Sequence, residues 1–285
     1  MSSAQFASAT TTDPALSEIA ALLRRGPALV LTGAGMSTDS GIPDYRGPDG
    51  QRRVTPMNYS EFVRSPQARQ RYWARSYVGW QRFHAARPNG AHHAVTALQR
   101  AGLLGHVITQ NVDGLHQAAG TTDVIDLHGS LSRVVCLACG DVTARRDLDA
   151  RMRQDNPDYT VTSDEIRPDG DIALEQVDVE RFRMPLCLAC GGDALKPDVV
   201  FFGASVAKPV VERCFALTEA APALLVLGSS LQVLSGLRFV RRAASRGIPV
   251  AAITRGPTRG DDLIDAKVDG DLGAHLAELV ALLDA

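Results

Sequence analysis

The 285-residue sequence has no long apolar run, since no stretch approaches the roughly 20 residues that a membrane-spanning helix needs. Its first twelve residues, MSSAQFASATTT, have neither the charged start nor the apolar stretch of a secretory signal. They also contain no arginine, which argues against a mitochondrial presequence. We therefore expect a cytoplasmic protein. The net charge is only −2 at pH 7, so we expect neither nucleic acid nor a membrane surface as a partner.

Cysteines are few, and four of the five fall into two Cys-x-x-Cys pairs. In a reducing compartment such pairs indicate metal binding and not disulfides. Four thiolates complete the tetrahedral shell of a structural zinc ion. A thioredoxin-like redox pair is the alternative, but two matched pairs disfavour it. The predicted zinc ligands are Cys136, Cys139, Cys187 and Cys190, while Cys214 lies in an amphipathic stretch and is predicted to be a core residue.

Apolar segments of strand length recur along the chain, with helical patterns between several of them. Such strands, without polar alternation, are typical of a parallel sheet covered on both faces. The sequence predicts a doubly wound, Rossmann-like α/β domain with ligands at the carboxyl ends of its strands. The predicted strands are 27–32, 106–110, 123–127, 198–202, 223–228 and 249–254, and the helical patterns follow Asp13 and cover 92–104, 234–247 and 272–283.

Two stretches interrupt this alternation. Residues from about 48 to 88 have a helical pattern rich in arginine and aromatic residues, and residues 131–195 contain the cysteine pairs. We therefore assign 13–130 and 196–285 to the large domain, with a helical insertion at about 48–88, and 131–195 to a small zinc-binding domain. The chain is long enough for one large and one small domain.

The first strand leads into Gly33-Ala34-Gly35-Met36-Ser37-Thr38. Glycines let the backbone approach a pyrophosphate, and N–H groups at a helix start favour anions. A simple strand-to-helix packing turn is the alternative. A dehydrogenase would have a third glycine, where Thr38 stands, and a second strand ending in an acidic residue. The following 41–47 segment is a loop, so the motif favours nucleotide binding without hydride transfer.

Six motifs, spread over nearly the whole chain, together resemble the sirtuin family in content and order. The segments Asp44-Tyr45-Arg46 and 71–75 look most like its class II branch. The motifs are the glycine loop with 41–46, the segment 110–113, Leu127-His128-Gly129, the two cysteine pairs, the segment 196–203 and the segment 228–233.

The resemblance implies an NAD-dependent deacylase, which takes acyl groups from lysines of proteins or peptides. It would release nicotinamide and O-acyl-ADP-ribose, with NAD as co-substrate and zinc as a structural ion. Mono-ADP-ribosyl transfer to a protein is the alternative activity. A non-catalytic NAD- or zinc-binding module is a third possibility. Such a module would have no need of His128, Asn111 and Asp113, which argues against it.

The resemblance also implies roles for individual residues. His128 would be the base that deprotonates a ribose hydroxyl, and its position at a strand end and its ordinary pKa near 6.5 suit that role. A strand-end histidine can instead be structural, and the segment 110–114 can be a turn that caps the next helix. The predicted catalytic residues are His128, Asn111 and Asp113.

The predicted nucleotide contacts come from several strand ends. By resemblance, Ile42 and Asp44 line the nicotinamide pocket, and Arg46 acts near the pyrophosphate and ribose. Tyr45 replaces the phenylalanine of most relatives, and Thr254 stands where many have asparagine. The full predicted set is Gly33, Ala34, Gly35, Ser37, Thr38, Ile42, Asp44, Tyr45, Arg46, Gln110, Asn111, Asp113, Gly228, Ser229, Ser230, Thr254 and Leu272.

Two further expectations concern the substrate. The segments 199–203 and 230–233 resemble the edges between which the family pairs a peptide as an added strand. Ala204 departs from the acidic residue often found at that position. Tyr72 and Arg75 form the Tyr-x-x-Arg pattern with which another sirtuin branch binds acidic acyl groups, and the alternative is an aromatic core residue beside a solvated arginine. The oligomeric state is not predicted.

Overall fold

The computed structural model describes residues 13–47, 51–163, 165 and 167–285. The prediction made for the first twelve residues lies outside this part of the chain, as do residues 48–50 of the predicted helical insertion. In the described part, no helix is both long and apolar enough to cross a membrane.

The described strands and helices follow each other along the chain. The strands are β1 (Ala28–Thr32), β2 (Leu104–Thr109), β3 (Val124–Asp126), β4 (Gly129–Cys136), β5 (Val142–Ala144), β6 (Leu195–Val199), β7 (Leu224–Leu227), β8 (Val250–Ile253) and β9 (Ala266–Val268). The α-helices are α1 (Pro14–Leu23), α2 (Tyr59–Arg64), α3 (Pro66–Ala85), α4 (Gly90–Arg100), α5 (Leu115–Ala118), α6 (Arg145–Asp155), α7 (Gln176–Arg181), α8 (Lys208–Ala220), α9 (Leu234–Ser245) and α10 (Leu272–Leu283).

The main sheet has six strands in the order β3-β2-β1-β7-β8-β9, and every neighbouring pair is parallel. The chain runs outward from β1 to β3 on one side and from β7 to β9 on the other. The order therefore reverses between β1 and β7, and a crevice forms at the carboxyl ends of these two strands. This arrangement confirms the predicted doubly wound α/β fold.

Helices cover both faces of this sheet. On one face, Leu16, Val95 and Leu276 of α1, α4 and α10 pack in one core with Val30 of β1. On the other face, Phe239 of α9 and the fully buried Cys214 of α8 pack with Leu31, the next residue of β1. Successive residues of one strand point to opposite faces, so an uninterrupted apolar strand supplies both cores.

The first helix forms where its end signals predict it. Asp13 is the N-cap, and its side chain accepts a hydrogen bond from the Ala15 N–H at 2.8 Å. Pro14 occupies the first helical position, where its missing N–H costs nothing. The helix ends at Leu23, and Gly26 follows with a φ of 149°. Local chemistry therefore fixes where this helix begins.

A three-stranded antiparallel sheet, ordered β5-β4-β6, forms the second unit. Its core also includes residues of α2 and α3, among them Phe62 and Trp73, and the Trp73 indole N–H donates to the Leu195 carbonyl at 2.9 Å. The fully buried Arg145 stacks its guanidinium over the Trp73 ring. The two predicted insertions thus share one hydrophobic core.

One predicted strand is wrong. Residues 198–202 do not join the parallel sheet, because β6 ends at Val199 and pairs antiparallel to β4. Phe201 instead packs against Phe62 and Tyr72, with ring centroids 5.2 and 5.3 Å away. The apolar run is therefore explained by an aromatic cluster, and β9 takes the outer position of the main sheet.

Candidate functional site

The loops that follow β1 and β7 touch through their backbones. The Gly33 N–H donates to the Leu227 carbonyl at 3.1 Å, and the Gly35 N–H donates to the Gly228 carbonyl at 2.9 Å. A Cβ at Gly35 would lie 2.9 Å from that carbonyl oxygen. Gly228 itself has a φ of 58°, which favours glycine. The glycines therefore allow a backbone approach that no side chain would fit.

Two short 3₁₀ helices, Ala34–Met36 and Thr38–Ser40, follow Gly33. Gly41 ends the second turn with a φ of 82°. The loop thus stays close to the strand ends and does not lead away along an α-helix.

A cavity of about 700 Å³ opens at the carboxyl ends of β1 and β7, a volume in the range of ligand pockets. Every residue predicted to contact the nucleotide lines it, and so does His128. Five arginines are part of its wall: Arg46, Arg52, Arg53, Arg238 and Arg255. Guanidinium groups bind phosphate oxygens through two parallel hydrogen bonds, so this wall suits a pyrophosphate.

The polar residues after β2 form one hydrogen-bonded network with the glycine loop. The Asn111 amide donates to the Gly33 carbonyl at 3.0 Å and to the Ser37 hydroxyl at 3.1 Å. The Ser37 hydroxyl donates to Asp113 at 2.7 Å. Gln110 donates to the Ser229 hydroxyl at 2.9 Å, which links β2 to the loop after β7. Loops from three strands are thereby held together.

The two carboxylate oxygens of Asp113 accept hydrogen bonds from different partners. One oxygen accepts from the Ser37 hydroxyl, and the other accepts from the Leu115 N–H at 2.9 Å, at the start of α5. The capping role that the turn pattern indicated is therefore present beside the loop contact. Burial raises the pKa of the Asp113 carboxyl, although these hydrogen bonds oppose the shift.

His128 follows β3 and is held by both ring nitrogens. Nδ1 lies 2.8 Å from the Gln110 carbonyl oxygen, and Nε2 lies 2.7 Å from the Ser235 hydroxyl. A carbonyl only accepts, so Nδ1 carries the proton and Nε2 accepts from Ser235. Burial lowers the pKa of the imidazole, which favours this neutral form. His128 therefore presents an unprotonated nitrogen at the cavity.

Other predicted residues occupy different parts of the wall. Ile42 is buried, and the Asp44 carboxylate pairs with Arg53 at 3.2 Å while burial raises the pKa of Asp44. The rings of Tyr45 and Phe202 pack edge to face, with centroids 5.6 Å apart. Thr254 follows β8, and Leu272 is the first residue of α10. These positions agree with the sequence prediction, while the contacts with a nucleotide stay predictions.

The two segments expected to hold a peptide both line the cavity. Residues 199–203 form one part of its wall, and residues 230–233 form another. The Val200 N–H donates to the His128 carbonyl at 2.8 Å, so the first segment is tied directly to the histidine. In the second segment Leu231 has a φ of 54°, a strained value for a leucine.

Several residues in the wall were not predicted. Ser235, on the first turn of α9, contacts His128, and Arg238 lies one turn further along. Asp169 and Asp171 also line the cavity, although they come from the small unit. A serine two residues after the 228–233 motif was the signal for Ser235. No local pattern indicated the two aspartates, because only the tertiary fold brings them to the cavity.

The four paired cysteines converge at one point of the small unit. Their sulfur atoms all lie within 4.8 Å of each other, and the Cys136–Cys190 and Cys139–Cys187 separations are 3.7 and 3.8 Å. Zinc–sulfur bonds of about 2.3 Å in a tetrahedron imply separations of about 3.8 Å. The donors therefore fit one zinc ion with no open position, as the sequence predicted.

Both halves of the zinc site have the same local structure. The Gly140 N–H donates to the Cys136 carbonyl, and the Gly191 N–H donates to the Cys187 carbonyl, each at 2.9 Å. The two glycines have φ values of 77° and 71°. Each Cys-x-x-Cys-Gly segment thus closes as one tight turn, and the pair of turns presents four thiolates to a common centre.

The family model described as the Sir2 family matches residues 33–235 of the chain. This range contains the glycine loop, His128 and the four cysteines of the zinc site. The chain belongs to the Sir2 family. The sirtuin resemblance found in the sequence is thereby confirmed, while its assignment to the class II branch stays a prediction.

Relatives of this Sir2-family chain have similar lengths. The NAD-dependent protein deacetylase 1 of Streptomyces coelicolor is 54% identical over 267 residues, which cover 93% of this chain and 88% of the relative. The NAD-dependent protein deacetylase of Xanthomonas campestris is 50% identical, with 95% and 92% covered. Among solved structures, one described as a Sir2–p53 peptide–NAD⁺ complex is 29% identical, with a TM-score of 0.74 and 94% and 98% covered.

The residues of this Sir2-family site fit NAD on the structure's own evidence. The glycines let the two loops meet at the strand ends, the arginines that line the cavity supply positive charge, and His128 offers an unprotonated nitrogen. Gln110, Asn111 and Asp113 are already fixed by hydrogen bonds, so the wall is pre-formed.

Proposed function

We propose that this Sir2-family chain is an NAD-dependent protein lysine deacylase. It transfers an acyl group from a lysine side chain of a protein or peptide to the ADP-ribosyl part of NAD, consumes one water molecule, and releases the free lysine, nicotinamide and O-acyl-ADP-ribose. The family membership and the relatives named NAD-dependent protein deacetylase confirm this enzyme class, which the sequence predicted.

The observation that carries the proposal is the protonation state of the His128 imidazole at the cavity. Its Nδ1–H is committed to the Gln110 carbonyl, so Nε2 can take a proton from a hydroxyl group that replaces the Ser235 hydroxyl. A general base must be unprotonated at the working pH, and burial lowers the pKa of His128, which favours the unprotonated form. We assign to His128 the removal of the proton from a sugar hydroxyl.

NAD, when bound, supplies the ADP-ribosyl group that accepts the acyl group and the nicotinamide that leaves. Gly33, Gly35 and Gly228 hold the two loops together at the cavity wall where the pyrophosphate would lie, and Arg46 would bind its oxygens. Asn111 and Asp113 would keep the glycine loop in place around the ribose and nicotinamide.

The acylated peptide would lie between residues 199–203 and 230–233, with its backbone paired as an added strand. Support comes from relatives of known structure, since one is described as bound to a propionylated peptide and another as bound to an acetylated peptide. The hydrogen bond from Val200 to the His128 carbonyl holds this edge beside the base. Acyl-lysine would thereby reach the same cavity as NAD.

Zinc has no chemical role in this proposal. The four thiolates would complete its shell, so no position is left for water or substrate. Its task is to hold β4, β6 and the two cysteine turns in one unit, on which the adjoining wall of the cavity depends.

The decisive experiment incubates the protein with NAD and a panel of acyl-lysine peptides, and follows both products by mass spectrometry. We expect nicotinamide and O-acyl-ADP-ribose in equal amounts, and a loss on the order of 10²- to 10⁴-fold for His128→Ala. Radiolabelled NAD distinguishes the alternative, because mono-ADP-ribosyl transfer leaves label on protein. Label on protein without deacylated peptide, or full activity of His128→Ala, would refute the proposal.

A further inference from the structure

A second hollow, of about 510 Å³, lies between α8 and α9 and adjoins the cavity, because Leu234 and Arg238 line both spaces. We call it the α9 hollow. Phe215 of α8 forms one part of its wall, and α9 supplies the remainder. Steps of three or four residues connect the α9 residues, so they lie on one face of the helix. They are Leu234, Arg238, Arg241, Arg242 and Ser245.

The α9 hollow has more guanidinium groups than carboxylates to pair with them. The Arg242 guanidinium lies over the Phe215 ring, 4.4 Å from its centroid, and pairs with Glu219. In the described part of the chain, neither Arg238 nor Arg241 has an ion-pair partner. Guanidinium groups bind carboxylates through charge-assisted hydrogen bonds. Two arginines on one face of α9 are therefore available to an acidic group from outside the chain.

Arg238 connects the α9 hollow to the proposed base. Ser235, which contacts Nε2 of His128 at 2.7 Å, lies one helical turn before Arg238, a rise of about 5 Å along α9. Burial is the main cause of the lowered pKa of His128, and the positive charge of Arg238 lowers this pKa further. The hollow therefore begins beside the place where the acyl-lysine would react.

The second of the two segments that would hold the peptide leads into the hollow. Residues 230–233 end where α9 begins, and the side chains of Val233 and Leu234 are exposed at this junction. An extended peptide advances about 3.3 Å per residue, whereas a helix rises about 1.5 Å per residue. The length of α9 from Leu234 to Arg241 thus corresponds to about three residues of a bound peptide.

We propose that the α9 hollow binds an acidic side chain of the substrate, about two to four residues from the acyl-lysine on one side, so that the enzyme prefers acyl-lysines with a nearby glutamate or aspartate. The carboxylate would pair with Arg238 and Arg241, and its methylene groups would pack on Leu234. A nucleic acid would also meet the arginines, but residues 230–233 lead a polypeptide to them. This inference rests on the proposed deacylase activity and names its substrate class.

The test uses one acetyl-lysine peptide in which a single glutamate, glutamine or lysine is moved through about five positions on each side of the acetyl-lysine. For the unmodified protein at about 0.05 M salt, we expect kcat/KM with glutamate to exceed that with glutamine about threefold and that with lysine about tenfold, at one or two positions on one side. The difference should appear mainly in KM. It should shrink at about 0.3 M salt, because salt screens exposed charges.

Arg241→Glu changes the charge of the hollow without touching a described lining residue of the cavity. It should bring the glutamate-to-lysine ratio at those positions to within about twofold of one, because the new carboxylate offsets Arg238. On the glutamine peptide its kcat should stay within about twofold of the unmodified value.

Arg213→Glu is the matched control, because Arg213 is an exposed arginine of α8 that is not a described lining residue of either space. It changes the net charge by the same amount and should keep the preference for glutamate. Ratios within one variant cancel a general loss of active protein. Equal kcat/KM for glutamate, glutamine and lysine at every position would overturn the inference, and so would equal effects of the two variants. Absence of NAD-dependent deacetylation on every peptide would instead refute the proposed function.

Discussion

The Ser235 hydroxyl donates to Nε2 of His128 at 2.7 Å, on the nitrogen opposite the one fixed by the Gln110 carbonyl. Ser235 lies at the start of α9 and lines the cavity, so its hydroxyl occupies the place that a substrate hydroxyl would need. It stabilises the neutral imidazole because it donates to the lone pair that a proton would otherwise take. Ser235 is therefore a positioning residue for His128.

Ser235→Ala should raise the pKa of His128, since the neutral ring loses one hydrogen bond worth about 0.5–1.5 kcal/mol. The acid limb of the kcat/KM profile should move to higher pH by about 0.5–1 unit. The maximum rate should stay within a few-fold, because the base itself is retained. Ser235→Thr keeps the hydroxyl and should keep the original profile, and an unshifted profile for Ser235→Ala would rule out this role.

Gly35→Ala should abolish the close approach of the two nucleotide loops. Its Cβ would lie 2.9 Å from the Gly228 carbonyl oxygen and 3.0 Å from the Gly228 Cα, and both are backbone atoms that cannot rotate away. We expect NAD affinity, measured by calorimetry, to fall at least tenfold. Gly90→Ala is the control, because a Cβ there meets nothing within 4 Å and should leave affinity unchanged. Equal binding by both variants would contradict the loop assignment.

Zinc binding should depend on each of the four predicted ligands. Cys139→Ser should bind less than half of the one zinc per chain expected for the unmodified protein, and its melting temperature should drop by many degrees, since structural zinc contributes on the order of 10 kcal/mol to folding. Cys214→Ala tests specificity, because Cys214 is buried in α8, away from the zinc site. It should lose some packing energy but keep its zinc, as measured by elemental analysis.

Acid should destabilise the fold through a buried histidine pair behind the glycine loop. His92 and His116 pack edge to face at 5.0 Å, and burial lowers their pKa values to about 3 and about 4. The unfolded chain protonates them near pH 6.5, so between that pH and the folded values it binds more protons than the native state. Their contribution is therefore complete above pH 6.5 and is lost as the pH falls toward 4.

His116→Gln isolates one member of this pair. The Nε2 of His116 lies 3.1 Å from the Thr32 hydroxyl, at the end of β1, so the variant should be less stable at pH 7. The free energy of unfolding should then fall less steeply between pH 6.5 and 4, by about 1.4 kcal/mol per pH unit. Urea titrations at several pH values measure both quantities. Parallel pH dependences for the two proteins would exclude His116 as the cause.

Local signals were sufficient for much of the large domain. Asp13 and Pro14 define the start of α1, and the apolar period from Leu272 defines α10 to the residue. The zinc ligands were also predictable, because the spacing within each cysteine pair dictates a turn. In such cases the signals that set the bounds of a helix or the form of a turn lie in neighbouring residues.

Other features depend on contacts between distant residues. The apolar run 198–202 has no periodicity that separates a strand from an aromatic cluster, and the short β9 has too few residues for a pattern. The pairing of Arg75 with Asp171 joins positions almost 100 residues apart. Its charge balance changes the expectation for Arg75, although the residue itself was identified from the sequence.

The common core of α2, α3 and the zinc unit has a consequence for motion. Trp73 is hydrogen-bonded to Leu195, and Arg145 is enclosed by Trp73 and Trp80, so neither insertion can open without exposing the other. Their amide protons should exchange with deuterium as a single cooperative block, separate from that of the parallel sheet. Loss of zinc from the cysteine site would then also loosen the packing of Tyr72, which belongs to the same block.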